Sequence, residues 1–207
     1  MDYDAIVLGI GGMGSAAAYH LASRGRRVLG IEQFTIPHEL GSSHGVTRII
    51  RLAYSEHPSY VPLLRRAYEL WRAMERRAGE RLMVITGGVD VGLAESETIT
   101  GSLRSCREHG LAHEELDAAE MGRRFPGYRL PRELMAVYQP EGGFVLPERS
   151  IAQHAAAARE LGAEIHEGER VVEWRAEGGG VVVRTARKRE RGRHGPRGEP
   201  VICETGQ

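Results

Sequence analysis

Gly9-Ile10-Gly11-Gly12-Met13-Gly14 constrains the fold of this chain more than any other segment. It follows Ala5 to Leu8, a short apolar run of the kind that forms a strand buried on both faces. It precedes Ser15 to Ser23, rich in Ala and Leu, which reads as a tightly packed helix stopped near Gly25. Val28 to Ile31 is a second apolar run and ends at Glu32. Strand, glycine turn, helix and strand with short connections form a βαβ unit, which requires a parallel sheet. The expected fold class is therefore α/β, with a Rossmann-like start.

The G-x-G-x-x-G spacing has a separate physical reason at each glycine. Gly9 permits the tight turn out of the strand, Gly11 lets backbone approach a pyrophosphate, and Gly14 lets helix and sheet pack closely. The helix start, with Gly12 and Met13, offers unpaired N–H groups and the positive end of the helix dipole to phosphates. Glu32 lies 18 residues past Gly14, where a carboxylate can accept hydrogen bonds from the adenosine ribose hydroxyls. An acid there would repel the 2′-phosphate of NADP. FAD and NAD both remain open on this pattern.

A second segment, Gly41-Ser42-Ser43-His44-Gly45-Val46-Thr47-Arg48-Ile49-Ile50-Arg51, followed by Ala53-Tyr54, lies in a stretch from 33 to 58 without long periodicity. Such stretches inside a compact domain are functional or disordered. The spacing is expected to pin Ile49 and Ile50 into the core while Arg48 and Arg51 face anions. A guanidinium suits a carboxylate because its planar fork makes two parallel hydrogen bonds.

This segment resembles the GS-x-HG-x-TR-I-I-R string of the monomeric sarcosine oxidase and N-methyltryptophan oxidase family. Tyr60-Val61-Pro62-Leu63, Glu69-Leu70-Trp71, Thr86-Gly87-Gly88-Val89, Phe125-Pro126-Gly127 and Pro140-Glu141-Gly142-Gly143-Phe144-Val145 extend the resemblance over roughly residues 3 to 186. It implies FAD, a secondary amino acid such as sarcosine as substrate, and O2 as oxidant reduced to hydrogen peroxide. It also implies a monomer at full length. By motif position, Gly9, Gly11, Gly12, Met13, Gly14 and Glu32 would hold the cofactor. Ser42, Ser43, His44 and Arg48 would also bind the cofactor, His44 and Arg48 against the flavin, and Val171 would meet the adenine through its backbone. Arg51 would hold the substrate carboxylate and Tyr54 would line the substrate side; His44 and Arg48 would also take part in catalysis. The alternatives are an NAD-dependent dehydrogenase and an inactive nucleotide-binding fragment.

The expected organisation is a discontinuous FAD-binding domain, 1–80 and 146–186, interrupted by part of a substrate domain at 81–145. Tyr60 to Ala78 reads as an amphipathic helix with Val61, Leu64, Ala67, Tyr68 and Trp71 on one face, and Glu75 among the solvated residues. Leu82 to Leu93 reads as strand broken at Gly87-Gly88, and Leu134 to Leu146 as two strands or a hairpin. Glu97 to His109, Asp117 to Phe125 and Pro147 to Leu161 read as helices. From Arg187 the chain is charged and nearly free of large apolar residues, so 187–207 is expected to be a disordered or aberrant tail. The shift resembles a truncation or an altered reading frame, since the family runs to about twice this length and carries its flavin-attaching cysteine in the second half.

Twenty-eight basic residues balance 28 acidic ones, so no global field points to nucleic acid. Seven Arg or Lys residues from Arg184 to Arg197 form a local basic run, but it has no aromatics for base stacking. Cys106 and Cys203 have no CxxC spacing, and His109 and His113 are separated by a helix-ending Gly110; no metal site is expected. His20 is expected to be a packed or half-exposed histidine; His38 and His154 stand isolated. There is no signal-peptide pattern and no apolar run of transmembrane length. A cytoplasmic protein without membrane contact is the expectation.

Overall fold

The computed structural model describes residues 2–177, 180–187 and 202–205. In chain order the elements are β1 (Asp2–Tyr3), β2 (Ala5–Leu8), α1 (Gly12–Ala22), β3 (Val28–Ile31), β4 (Arg48–Ile50), α2 (Tyr60–Ala78), β5 (Met83–Ile85), β6 (Gly88–Leu93) and α3 (Glu97–His109). There follow β7 (Glu114–Asp117), α4 (Ala118–Arg124), β8 (Leu134–Gln139), β9 (Gly143–Val145), α5 (Pro147–Glu160), β10 (Glu164–His166), β11 (Glu169–Glu177), β12 (Gly180–Arg187) and β13 (Ile202–Thr205). The chain divides into two compact units, 1–46 with 147–207, and 47–146.

The first unit is the nucleotide-type domain that the glycine turn requires. Its parallel sheet has the order β10-β3-β2, with Ala5 opposite Val28 and Glu164 opposite Leu29. β3 is central, which is why all four of its residues are buried. One face packs Val7, Val28 and Ile165 against Ala18 and Ala22 of α1 and Ala158 of α5. Alanines there let the two helices approach closely. The other face packs Ile6, Leu29 and Ile31 against Val171, Val181 and Val183. Those valines belong to a second sheet of order β1-β13-β12-β11.

The second unit contains two three-stranded sheets, β4-β9-β5 and β6-β8-β7. The strands at Leu134 to Leu146 therefore do not form a hairpin: β8 pairs with β6 and β7, whereas β9 pairs with β4 and β5. Gly142 and Gly143 let the chain cross between sheets; a Cβ on Gly143 would lie 2.1 Å from the Val84 carbonyl. Trp71 and Tyr68 of α2 pack over Ile50, Met83 and Val145. α3 covers one face of the second sheet through Ile99 and Leu103 on Val137, and Met121 of α4 covers the other with Leu116 and Ala136.

Four expectations change. The first break in the chain falls after Val46 rather than after residue 80, because β4 pairs with β9 and draws 47–80 into the second unit. Ile49 does not enter the core: it is 79% exposed while Ile50 is 9% exposed, since strand residues alternate faces. Glu75 is not simply solvated; its Oε1 accepts from the N–H groups of Leu82 and Met83, both at 2.9 Å. The expected tail lies mostly outside the described residues, but Ile202–Thr205 within it pairs antiparallel with β12 and parallel with β1. No helix among the described residues is long and apolar enough to cross a membrane.

Candidate functional site

In the first unit the glycine turn opens onto a cleft of about 460 Å³, within the usual range for small-molecule sites. Gly9 adopts φ 84°, which only glycine takes without strain. A Cβ on Gly14 would sit 1.8 Å from the Gly9 carbonyl oxygen, so the third glycine is fixed by helix-strand packing. A Cβ on Gly11 would meet nothing within 4 Å, which leaves the middle glycine facing open cleft. No side chain caps the N-terminus of α1, and its first-turn N–H groups remain for an anion. Ser43 lies over Gly12, where a Cβ would come within 2.7 Å of the hydroxyl.

Glu32 closes the far side of the cleft and is 4% exposed. Its Oε2 accepts from the Ile10 N–H at 2.8 Å and its Oε1 from the Phe34 N–H at 3.1 Å. A carboxylate accepts about four hydrogen bonds, so capacity for a ribose remains. His38 adds a neighbour: its Nε2 lies 3.4 Å from Glu32 Oε1, and its Nδ1 accepts from the Leu40 N–H at 3.0 Å. The Glu169 N–H donates to the Glu32 carbonyl at 2.9 Å, which brings Glu169, Arg170 and Val171 to the cleft wall. These features fit the adenosine and pyrophosphate of a dinucleotide.

The second unit holds a separate cavity of about 410 Å³, lined by Arg51, Asp90, Tyr138 and Gln139 among others. Arg51 follows β4 directly, and three polar side chains fix the backbone after it. Gln139 Oε1 accepts from the Leu52 and Ala53 N–H groups at 3.0 and 3.1 Å. Ser102 Oγ rests 3.4 Å from the Ala53 carbonyl, and Ser105 Oγ donates to the Tyr54 carbonyl at 2.5 Å. The Arg51 guanidinium lies 5.1 Å from the Tyr54 ring centroid, and its Nη1 is 3.8 Å from Asp90 Oδ1. Arg51 Nε and Gln139 Nε2 are buried without hydrogen-bond partners. A buried donor left unpaired is costly, and an incoming acceptor relieves that cost.

Of the residues singled out in the sequence, Gly9, Gly11, Gly12, Met13, Gly14, Glu32, Ser42, Ser43 and Val171 line the first cleft. Arg51 lines the second cavity, with Tyr54 against its guanidinium. His44 and Arg48 line neither. Both are exposed; His44 Nδ1 is 2.5 Å from the Gly41 carbonyl and Arg48 Nη1 donates to the Thr47 carbonyl at 2.8 Å. His38, Asp90 and Gln139 escaped sequence reasoning. Asp90 alone had a signal: it interrupts Val89-Asp90-Val91, an acid inside an alternating strand.

Comparison with known proteins agrees with the cleft. Residues 4–204 match the family described as FAD dependent oxidoreductase. Over 184 residues the chain is 49% identical to a monomeric sarcosine oxidase of Streptomyces avermitilis, covering 89% of this chain and 48% of the relative. It is 36% identical to an N-methyl-L-tryptophan oxidase of Yersinia pestis, over 80% of this chain and 44% of the relative. The structure of NikD, an unusual amino acid oxidase essential for nikkomycin biosynthesis, superposes with a TM-score of 0.81 at 31% identity, over 99% of this chain and 49% of that chain. The chain thus spans about half the length of these relatives. FAD is the cofactor of the matched family, and the fold, the glycine cleft and the match across nearly the whole sequence lead to one conclusion: this chain belongs to the FAD dependent oxidoreductase family.

Proposed function

We propose that this chain supplies the cofactor-binding unit and part of the substrate site of an oxidase of N-methyl, secondary amino acids such as sarcosine. The observation that carries the reading is the Arg51 guanidinium. It lines a cavity, it makes no hydrogen bond through its buried Nε, and its ion-pair partner stands 3.8 Å away, beyond hydrogen-bond length. A carboxylate is the group that satisfies such a fork. FAD, when bound, supplies the acceptor for a hydride from the N–CH bond and returns the electrons to O2 as hydrogen peroxide. The α1 N-terminus would hold the pyrophosphate, and Glu32 the ribose. His44 and Arg48 are proposed flavin neighbours on the motif alone.

Titration of the purified chain with sarcosine, followed by NMR chemical-shift changes, tests the carboxylate role. Arg51→Lys keeps the charge and loses the fork, so affinity should fall roughly tenfold or more. Unchanged affinity in that variant contradicts the assignment.

A further inference from the structure

The cavity that presents Arg51 also presents an acid, and nothing in the carboxylate role of Arg51 calls for one. Asp90 lies on β6, on the face that α3 covers, and its side chain is 17% exposed. Ser102 Oγ donates to its Oδ2 at 2.8 Å, which fixes the carboxylate. Oδ1 is the oxygen turned toward Arg51, at 3.8 Å from Nη1. The two charges are near enough to attract and too far apart to satisfy each other by a hydrogen bond. Arg51 Nε meanwhile stays unpartnered. A fixed cation and a fixed anion, side by side on one cavity wall, form a dipolar pair.

The geometry points to Asp90 as a specificity residue that makes this cavity select a zwitterion, an α-amino acid with its amine protonated, over a simple carboxylate. The inference rests on the reading of the cavity as a carboxylate site. Arg51 takes the carboxylate and Asp90 Oδ1 accepts from the neighbouring secondary ammonium group. Asp90 also repels an anion that brings no cation with it, because a second negative charge then faces it at short range in a partly buried site. Arg51 alone would bind acetate and sarcosine through the same contact. Discrimination between them therefore falls to the acid.

The test is the ratio of the affinities for sarcosine and acetate, measured by NMR titration of the purified 207-residue chain and its variants. Asp90→Asn keeps an oxygen to accept from Ser102 and loses the charge. Any gain in carboxylate binding from a freed Arg51 affects both ligands alike and cancels in the ratio. The sarcosine preference should fall about tenfold, the loss of one charge-assisted contact. Asp90→Val, a strand-compatible apolar replacement, should lower it similarly and serves if the amide variant folds poorly. A preference unchanged within about twofold in a folded variant overturns the proposal. Failure of the underlying reading looks different: Arg51→Met would leave acetate binding unaltered, and the proposal would fall with it.

Discussion

The two glycines that matter most in the turn act through different physics, and substitution separates them. Gly14 lies inside α1, where alanine is ordinarily favoured over glycine by up to ~1 kcal/mol. Here its Cβ would approach the Gly9 carbonyl oxygen to 1.8 Å, a contact with backbone that cannot swing away. Overpacking of this kind costs roughly 1–3 kcal/mol and outweighs the propensity gain. Gly14→Ala should therefore lower the urea midpoint of the free protein, whereas Gly11→Ala should leave it nearly unchanged. Equal midpoints for Gly14→Ala and the parent would show that the helix shifts freely on the strand. The same contrast explains what the sequence revealed at this scale. The glycine spacing and Glu32 are local patterns whose chemistry is complete within a few residues. His38, Asp90 and Gln139 acquire their roles only when chain segments meet, Gln139 by reaching Leu52 and Ala53 some 86 residues away.

Elements were legible in proportion to their length. α2 repeats its apolar face over 19 residues, so its limits could be read directly from the spacing. β4 and β7 have three and four residues, too few for alternation to register. Leu134 to Leu146 reads as two strands or a hairpin, but its division between two sheets follows from partners elsewhere in the chain. The α1–α5 interface yields a pH prediction. Tyr19 and His20 of α1 meet His154 of α5, with ring centroids 5.7 and 6.5 Å from the His154 ring. Burial pushes the His154 pKa below the usual imidazole value of 6.5, the Ser150 carbonyl opposes the shift, and His20 adds to it. A depressed folded-state pKa means that the unfolded chain binds the proton first. This contribution to stability is complete above pH 6.5 and is lost as pH falls below it. The melting temperature should drop between pH 7.5 and 5.5, and His154→Leu should flatten that drop. An identical pH profile in the variant would assign the dependence to other groups.

At the scale of the whole molecule, the first unit offers what an FAD-binding domain needs: an uncapped helix start, an open middle glycine and a buried acid at the end of β3. The second unit offers a cavity with an underused guanidinium. Cofactor recognition is the claim on which the rest depends, because the fingerprint by itself also suits NAD. The most direct measurement is a calorimetric titration of the apoprotein with FAD and with NAD, on the parent chain and on Gly11→Ala. The predicted result is FAD binding in the parent that NAD does not displace, and loss of that binding when a methyl group enters the cleft at position 11. Equal FAD affinity in parent and variant, or displacement of FAD by NAD at comparable concentration, would contradict the account.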